Sequence, residues 1–111
     1  MQYRFDGEFH RLSRVTGPTH NFLALALSDA AWGGAPSVEP LDVGDGGAPR
    51  LESGEVARAV CDGVADANRE FGCDYAARRI QFVPSDSPPA AVYRHLAREI
   101  VRHAAVEARA A

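Results

Sequence analysis

The chain has no lysine: its 12 Lys and Arg residues are all arginine. With no lysine, no phosphate-binding loop can be completed, and no Gly-rich run precedes a Lys-Ser/Thr pair. Arginine in place of lysine, in a chain rich in Ala and Gly, is also what a GC-rich genome produces, so it carries no functional meaning here. Cysteine is scarce, with 2 residues, Cys61 and Cys73. The roughly ten helical residues expected between Cys61 and Phe71 span about 15 Å, beyond the roughly 7 Å that a disulfide tolerates. No C-x-x-C or Cys/His metal spacing occurs. Two reduced thiols fit the cytoplasm. No apolar run approaches the roughly 20 residues that span a membrane. The opening Met-Gln-Tyr-Arg-Phe-Asp has no apolar signal core, so a cytoplasmic location is expected. A Gly-x-Ser-x-Gly elbow is missing as well. No catalytic residue, metal ligand or cofactor is therefore assigned.

What is present is an ordinary globular balance. The 111 residues are 46% hydrophobic and 24% charged, with a net charge of -3. That length fits a single domain, residues 1–111, with one core. The net charge gives no bulk attraction to nucleic acid.

Along the chain, residues 2–6 alternate Tyr3 and Phe5 and end in Asp6-Gly7, a short strand and a turn. Residues 8–16 form a second strand. Phe9 and Leu12 differ in parity there, which predicts a bulge or bend. "TGPTHN" follows. Proline suits the second position of a turn, which places Pro18-Thr19 at the tip, Thr16 opposite Asn21, Leu12 opposite Leu25 and His10 opposite Leu27. Residues 21–29 set Leu23, Leu25 and Leu27 against Phe22, Ala24 and Ala26, a strand whose Leu side faces helices.

Residues 30–52 are rich in Gly, Pro and Asp and form a long flap, in which Val38, Leu41 and Val43 mark a short edge segment. Asp42-Val-Gly-Asp45 lacks the alternating ligands and closing Glu of a calcium loop. Ser53 is the expected cap of a helix whose stripe is Val56, Val60, Val64, Ala67 and Phe71. Gly63 lies in that stripe and permits close approach of a neighbour, and Gly72 ends the helix. Asp62, Asp66 and Glu70, interleaved with Arg58 and Arg69, form a solvated face. Residues 75–83 form a strand with Ile80 and Phe82 opposed to Arg79 and Gln81. Ser87 as cap and Pro88 at the first helical position open the last helix. Tyr93, Leu96, Ile100 and Ala104 are its stripe, and the tail from Glu107 is expected to fray.

These elements predict an α+β two-layer sandwich: a mixed four-stranded sheet in β-β-β-α-β-α order with two helices on one face. Residues 59–100, "AVCDGVADANREFGCDYAARRIQFVPSDSPPAAVYRHLAREI", run helix, alternating strand, polar Ser-Asp-Ser break, helix. This order resembles domain four of elongation factor G, which has the fold of the second domain of a small-subunit ribosomal protein. The resemblance implies that fold and a ribosome- or RNA-associated role.

Two surfaces carry the functional expectations. Arg94, Arg98, Arg102 and Arg109 share one side of the last helix, and Arg78 and Arg79 extend the patch. Together they suit phosphates or an acidic partner, although Glu99 and Glu107 partly neutralise them. Arg14, Thr16, Thr19, His20 and Asn21, with Trp32 from the flap, supply donors and a titratable imidazole for a small ligand. Gly, Pro and Asn are also what any turn requires. His95 and His103, eight apart, are poorly spaced for a metal pair. The leading expectation is a non-enzymatic binding or accessory protein for a macromolecular partner, protein or RNA. The acidic helix and the Arg stripe also offer complementary surfaces for a homo-oligomer.

Overall fold

The structure, a computed structural model, describes residues 1–17, 19–41 and 48–110. It is α+β. Five strands, β1 (Gln2–Phe5), β2 (Phe9–Thr16), β3 (Thr19–Asp29), β4 (Ser37–Pro40) and β5 (Tyr75–Phe82), form one mixed sheet in the order β1-β2-β3-β5-β4. Helices α1 (Ser53–Phe71) and α2 (Val92–Ala110) pack on each other and on one sheet face. The fifth strand comes from the flap. β4 lies parallel to β5, with Val38 opposite Ile80, and α1 is the crossover that parallel neighbours require. Leu51, at the other end of the flap, is buried in the core. Val43 and the Asp42–Asp45 stretch lie outside the described residues.

The core follows the expected periodicities. Leu23 and Leu25 of the central strand, with Leu12, Ile80 and Phe82, meet Val56, Val60 and Val64 of α1 and Tyr93, Leu96 and Ile100 of α2. Gly63 sets the helix spacing. A Cβ there would lie 2.1 Å from the carbonyl oxygen of Arg94 and 3.0 Å from the Cβ of Ala97. Hydrogen at that position is what lets the α1 and α2 backbones touch.

Several local expectations are corrected. The β2–β3 hairpin pairs Thr16 with Thr19, Leu12 with Leu23 and His10 with Leu25, two residues tighter than expected. Gly17 occupies the first loop position with φ +60°, the conformation that two-residue hairpins use to match strand twist. A shift of two preserves the facing of every side chain, so the Leu side still meets the helices. No bulge interrupts β2. Phe9 instead faces the opposite side of the sheet and packs on Ala24 and Ala26. The irregularity falls in β5, where Arg78 is the extra residue between the Leu27–Ala77 and Ala26–Arg79 pairs.

Helix α1 is capped by Glu52 rather than Ser53. The Glu52 carboxylate accepts from the Gly54 and Glu55 N–H groups at 2.8 and 2.9 Å, which holds its pKa below the ordinary range. Gly72, at φ +64°, closes the other end. Past it, Asn68 Nδ2 donates to the Tyr75 carbonyl and Asn68 Oδ1 accepts from the Tyr75 N–H, fixing the start of β5. Helix α2 begins at Val92, not Pro88, because Ser87 is committed to β3. Ala110 is still helical, so the tail is ordered further than expected.

Candidate functional site

The arginine stripe lies along the outside of α2, with Arg94 and Arg109 exposed and Arg98 and Arg102 half-buried, but its charges are matched within the chain. Arg94 grips Asp66 with two hydrogen bonds, 2.6 and 2.9 Å, and Arg98 grips Glu70 at 2.8 and 2.6 Å. Arg98 also reaches Glu99, as does Arg102. The guanidinium of Arg109 donates to the Phe71 carbonyl at the end of α1. Hydrogen bonds from Arg94 and Arg98 hold the Asp66 and Glu70 carboxyls below their usual range. The acidic side of α1 is therefore half of an interhelical clasp, not a free solvated face. Asp66 and Glu70, two of the acidic groups offered for pairing between copies, are engaged within one copy. Arg78 and Arg79 do not extend the stripe: they lie on β5 and meet Glu8 and Glu39.

The residues of the hairpin knot converge on the loop before α2. Ser87 N–H donates to the His20 carbonyl at 3.0 Å, and His20 N–H donates to Ser87 Oγ at 3.1 Å. Phe22 N–H donates to Asp86 Oδ2 at 2.8 Å, and Asp86 Oδ1 lies 3.0 Å from His20 Nδ1. Asn21 Nδ2 donates to the Ser87 carbonyl and to the Tyr93 hydroxyl. Asn21, Asp86 and Ser87 are buried, and burial pushes the Tyr93 hydroxyl up to about 12. β5 ends its pairing at Leu23, and the Asp86–Ser87 loop takes over the exposed backbone of β3 from there. Thr16 and Thr19 close the tip with a 2.6 Å hydroxyl contact. Arg14 pairs with Asn21 across β2 and β3.

Trp32 does not belong to this group. It follows the far end of β3, after roughly 33 Å of extended chain. None of the clefts described here is lined by His20. One, of about 210 Å³, lies between α1 and the start of β5 and includes Cys61. Burial raises the Cys61 thiol, which therefore gains no thiolate character. Another, of about 320 Å³, lies between Glu55, Arg58 and Asp62 of α1 and the entry to α2, with both signs of charge on its walls.

The sheet face away from the helices presents a different surface. Among the described residues no helix or strand lies over it. Alternation puts Gln2 and Arg4 of β1, Phe9, Arg11, Ser13 and Val15 of β2, and His20, Phe22, Ala24 and Ala26 of β3 on this side. At one end the face is self-satisfied. Arg79 lies over the Phe9 ring, 4.8 Å from its centroid, and binds Glu39 and Glu8. Hydrogen bonds from Arg79 hold the Glu39 carboxyl down to about 2. At the other end Arg4 stands directly opposite Arg11, and Gln2 opposite Ser13, which is opposite Phe22. Like charges placed so cost stability. Asp6 pairs with Arg11 from the turn. A small depression of about 140 Å³ is lined by Gln2, Arg4, Arg11, Ser13 and Phe22. It adjoins a second one lined by Met1, Gln2, Ser13 and Val15, in which Met1 is 62% and Val15 65% exposed.

Sequence reasoning did not single out Arg4, Arg11 or Phe22. The signal is the register: only pairing β1 with β2 brings the two arginines together. A second group it missed joins β1 to α2. The Tyr3 hydroxyl lies 2.6 Å from His10 Nδ1 and 3.4 Å from Glu107, and its ring stacks on His103 at 4.2 Å. The Tyr3 hydroxyl donates to the Glu107 carboxylate, and burial depresses the His10 pKa. No group of three or more His, Cys, Asp and Glu able to hold a metal occurs among the described residues. No described helix is long and apolar enough to cross a membrane.

No protein-family model, no curated protein and no solved structure matches the chain.

Proposed function

We propose that this chain is a non-enzymatic binding module that takes a macromolecular partner on the open face of its sheet. The observation that carries the reading is the Arg4–Arg11 pair beside Phe22, on a face no described element covers. A face of this kind leaves apolar and cationic groups in water until something lies across it. The helix stripe, by contrast, has satisfied its charges internally. The cytoplasm suits the two free thiols.

Affinity capture from cell extract with three immobilised chains tests this: the wild type, an Arg4→Glu/Arg11→Glu double variant and an Arg102→Glu variant. A partner retained by the wild type and the Arg102 variant but lost by the double variant is the expected result. A partner lost only on changing Arg102 would move the contact to the helix and overturn the reading.

A second reading keeps a small ligand at the hairpin. Asp86 is 8% exposed and binds one imidazole nitrogen of His20, a side chain that is 55% exposed, which leaves Nε2 as the ring's remaining polar atom. This is how a carboxylate orients a working histidine. Loss of ligand binding in His20→Ala, with the fold retained, would favour it over the sheet-face reading.

A further inference from the structure

We infer that the partner is a single-stranded nucleic acid, a phosphate of which sits between Arg4 and Arg11 while a base stacks on Phe22. The inference rests on the open-face reading above and names the chemistry of what that face takes. Three observations converge. The first is the like-charge pair: Arg4 and Arg11 are directly opposite on neighbouring strands, with Arg11 held by Asp6 and by the Phe9 ring and Arg4 in no ion pair among the described residues. Asp6 engages Arg11 from one side, whereas Arg4 is exposed. An arriving phosphate thus meets two guanidinium forks, one of them already oriented.

The second observation is Phe22, the partly buried aromatic in the same depression. It lies on the central strand, across Ser13 from Gln2. An aromatic ring on a sheet, flanked by cations and by uncharged hydrogen-bonding side chains, is the arrangement on which unstacked bases rest. The third is the shape. A depression of about 140 Å³ is too small to enclose a free nucleotide, so affinity must accumulate along a polymer laid over several strands. A duplex hides its base faces and presents none to Phe22. An acidic protein segment would also engage the two arginines, and it is the alternative that the capture experiment separates.

Fluorescence anisotropy with a short labelled RNA of mixed sequence tests the inference, using the same strand as DNA and the same RNA annealed to its complement as further arms. The single strands are expected to bind and the duplex to bind more weakly. With two phosphate contacts, log K should fall against log salt with a slope of about −1.4, and Arg4→Ala should reduce that slope by about 0.7. Phe22→Leu keeps an apolar side chain in place and should weaken binding about tenfold, leaving the slope unchanged. Arg4 is exposed, so its variant stays informative even where Phe22→Leu lowers stability. Arg102→Ala should change nothing. No binding at low salt, duplex bound as tightly as single strand, or equal loss on changing Arg102 would each overturn the inference. If RNA and DNA are both refused while the Arg4→Glu/Arg11→Glu chain still loses a captured protein, the nucleic-acid assignment fails and the open-face reading survives. If neither is seen, both fail.

Discussion

The two faces of β3 solve the same problem with different materials. On one side Leu23 and Leu25 are closed over by Val60, Leu96 and Ile100. On the other, Ala24 and Ala26 are equally inaccessible, yet no described element covers them. Their shelter is Phe9 and Phe22 and the long Arg79 side chain. The first face is dry because two helices roof it. The second is dry only where side chains from the sheet itself lie flat, and where they do not, Arg4, Arg11 and Val15 meet water. Large residues thus mark the side that another layer will cover. Small ones mark a side that only a neighbour's side chain, or a partner, will cover.

The sharpest way to break this comparison is to remove volume from the roofed side. Leu25→Ala should cost about 3 kcal/mol, read as a lowered denaturation midpoint. Phe9→Leu, on the open side, should cost under about 1.5 kcal/mol, because Arg79 can settle into the space. Equal losses would show that the open face is as tightly constrained as the covered one. Adding volume gives the next contrast. Gly63→Ala drives a methyl into the Arg94 carbonyl and should cost about 1–3 kcal/mol, while Ala24→Val on the open face should cost less.

Asp86→Ala should cost about 1–3 kcal/mol, since Phe22 N–H loses its acceptor in a part-buried setting. Asp86→Asn, which retains an acceptor oxygen, should recover much of that loss. The β1–α2 seam should respond to acid. His10 has its pKa lowered by burial, so the unfolded chain binds the proton more readily than the folded one. Its stabilising contribution is complete above the unfolded value of about 6.5 and is lost as pH falls through the lower folded value. Thermal midpoints between about pH 7 and 5 should therefore fall less in His10→Phe than in the wild type. Smallest of all is the interhelical clasp. A double-mutant cycle on Asp66 and Arg94 should give only a small coupling, shrinking with added salt.

Much of this comparison was legible beforehand. The alternation of Leu with Ala and Phe in β3, and the stripes of α1 and α2, have periods that only one burial pattern satisfies. Gly63 stood out as the one residue in the α1 stripe with no side chain. What escaped was whatever depends on how two segments are set against each other. Proline at the second turn position placed the tip one residue further along than the hairpin has it, and the register moved by two. The edge segment expected around Val38 is β4, but its place as a fifth strand escaped because it is fixed by lying beside β5. The acid–arginine clasp depends on how α1 and α2 are set against each other, which neither helix's own sequence reveals. The nucleic-acid contact we propose does not use the stretch that carried the resemblance: Arg4, Arg11 and Phe22 lie outside residues 59–100.

The segment bearing Asp86 and Ser87 behaves as a splint along the free margin of the central strand. A splint must keep its length. Lengthening the connection between Phe82 and Val92 by even one residue would slide those groups off their seats and unclasp the hairpin tip, whereas the turn between β1 and β2, tied to β5 through the exposed side chain of Glu8, should accept grafted sequence.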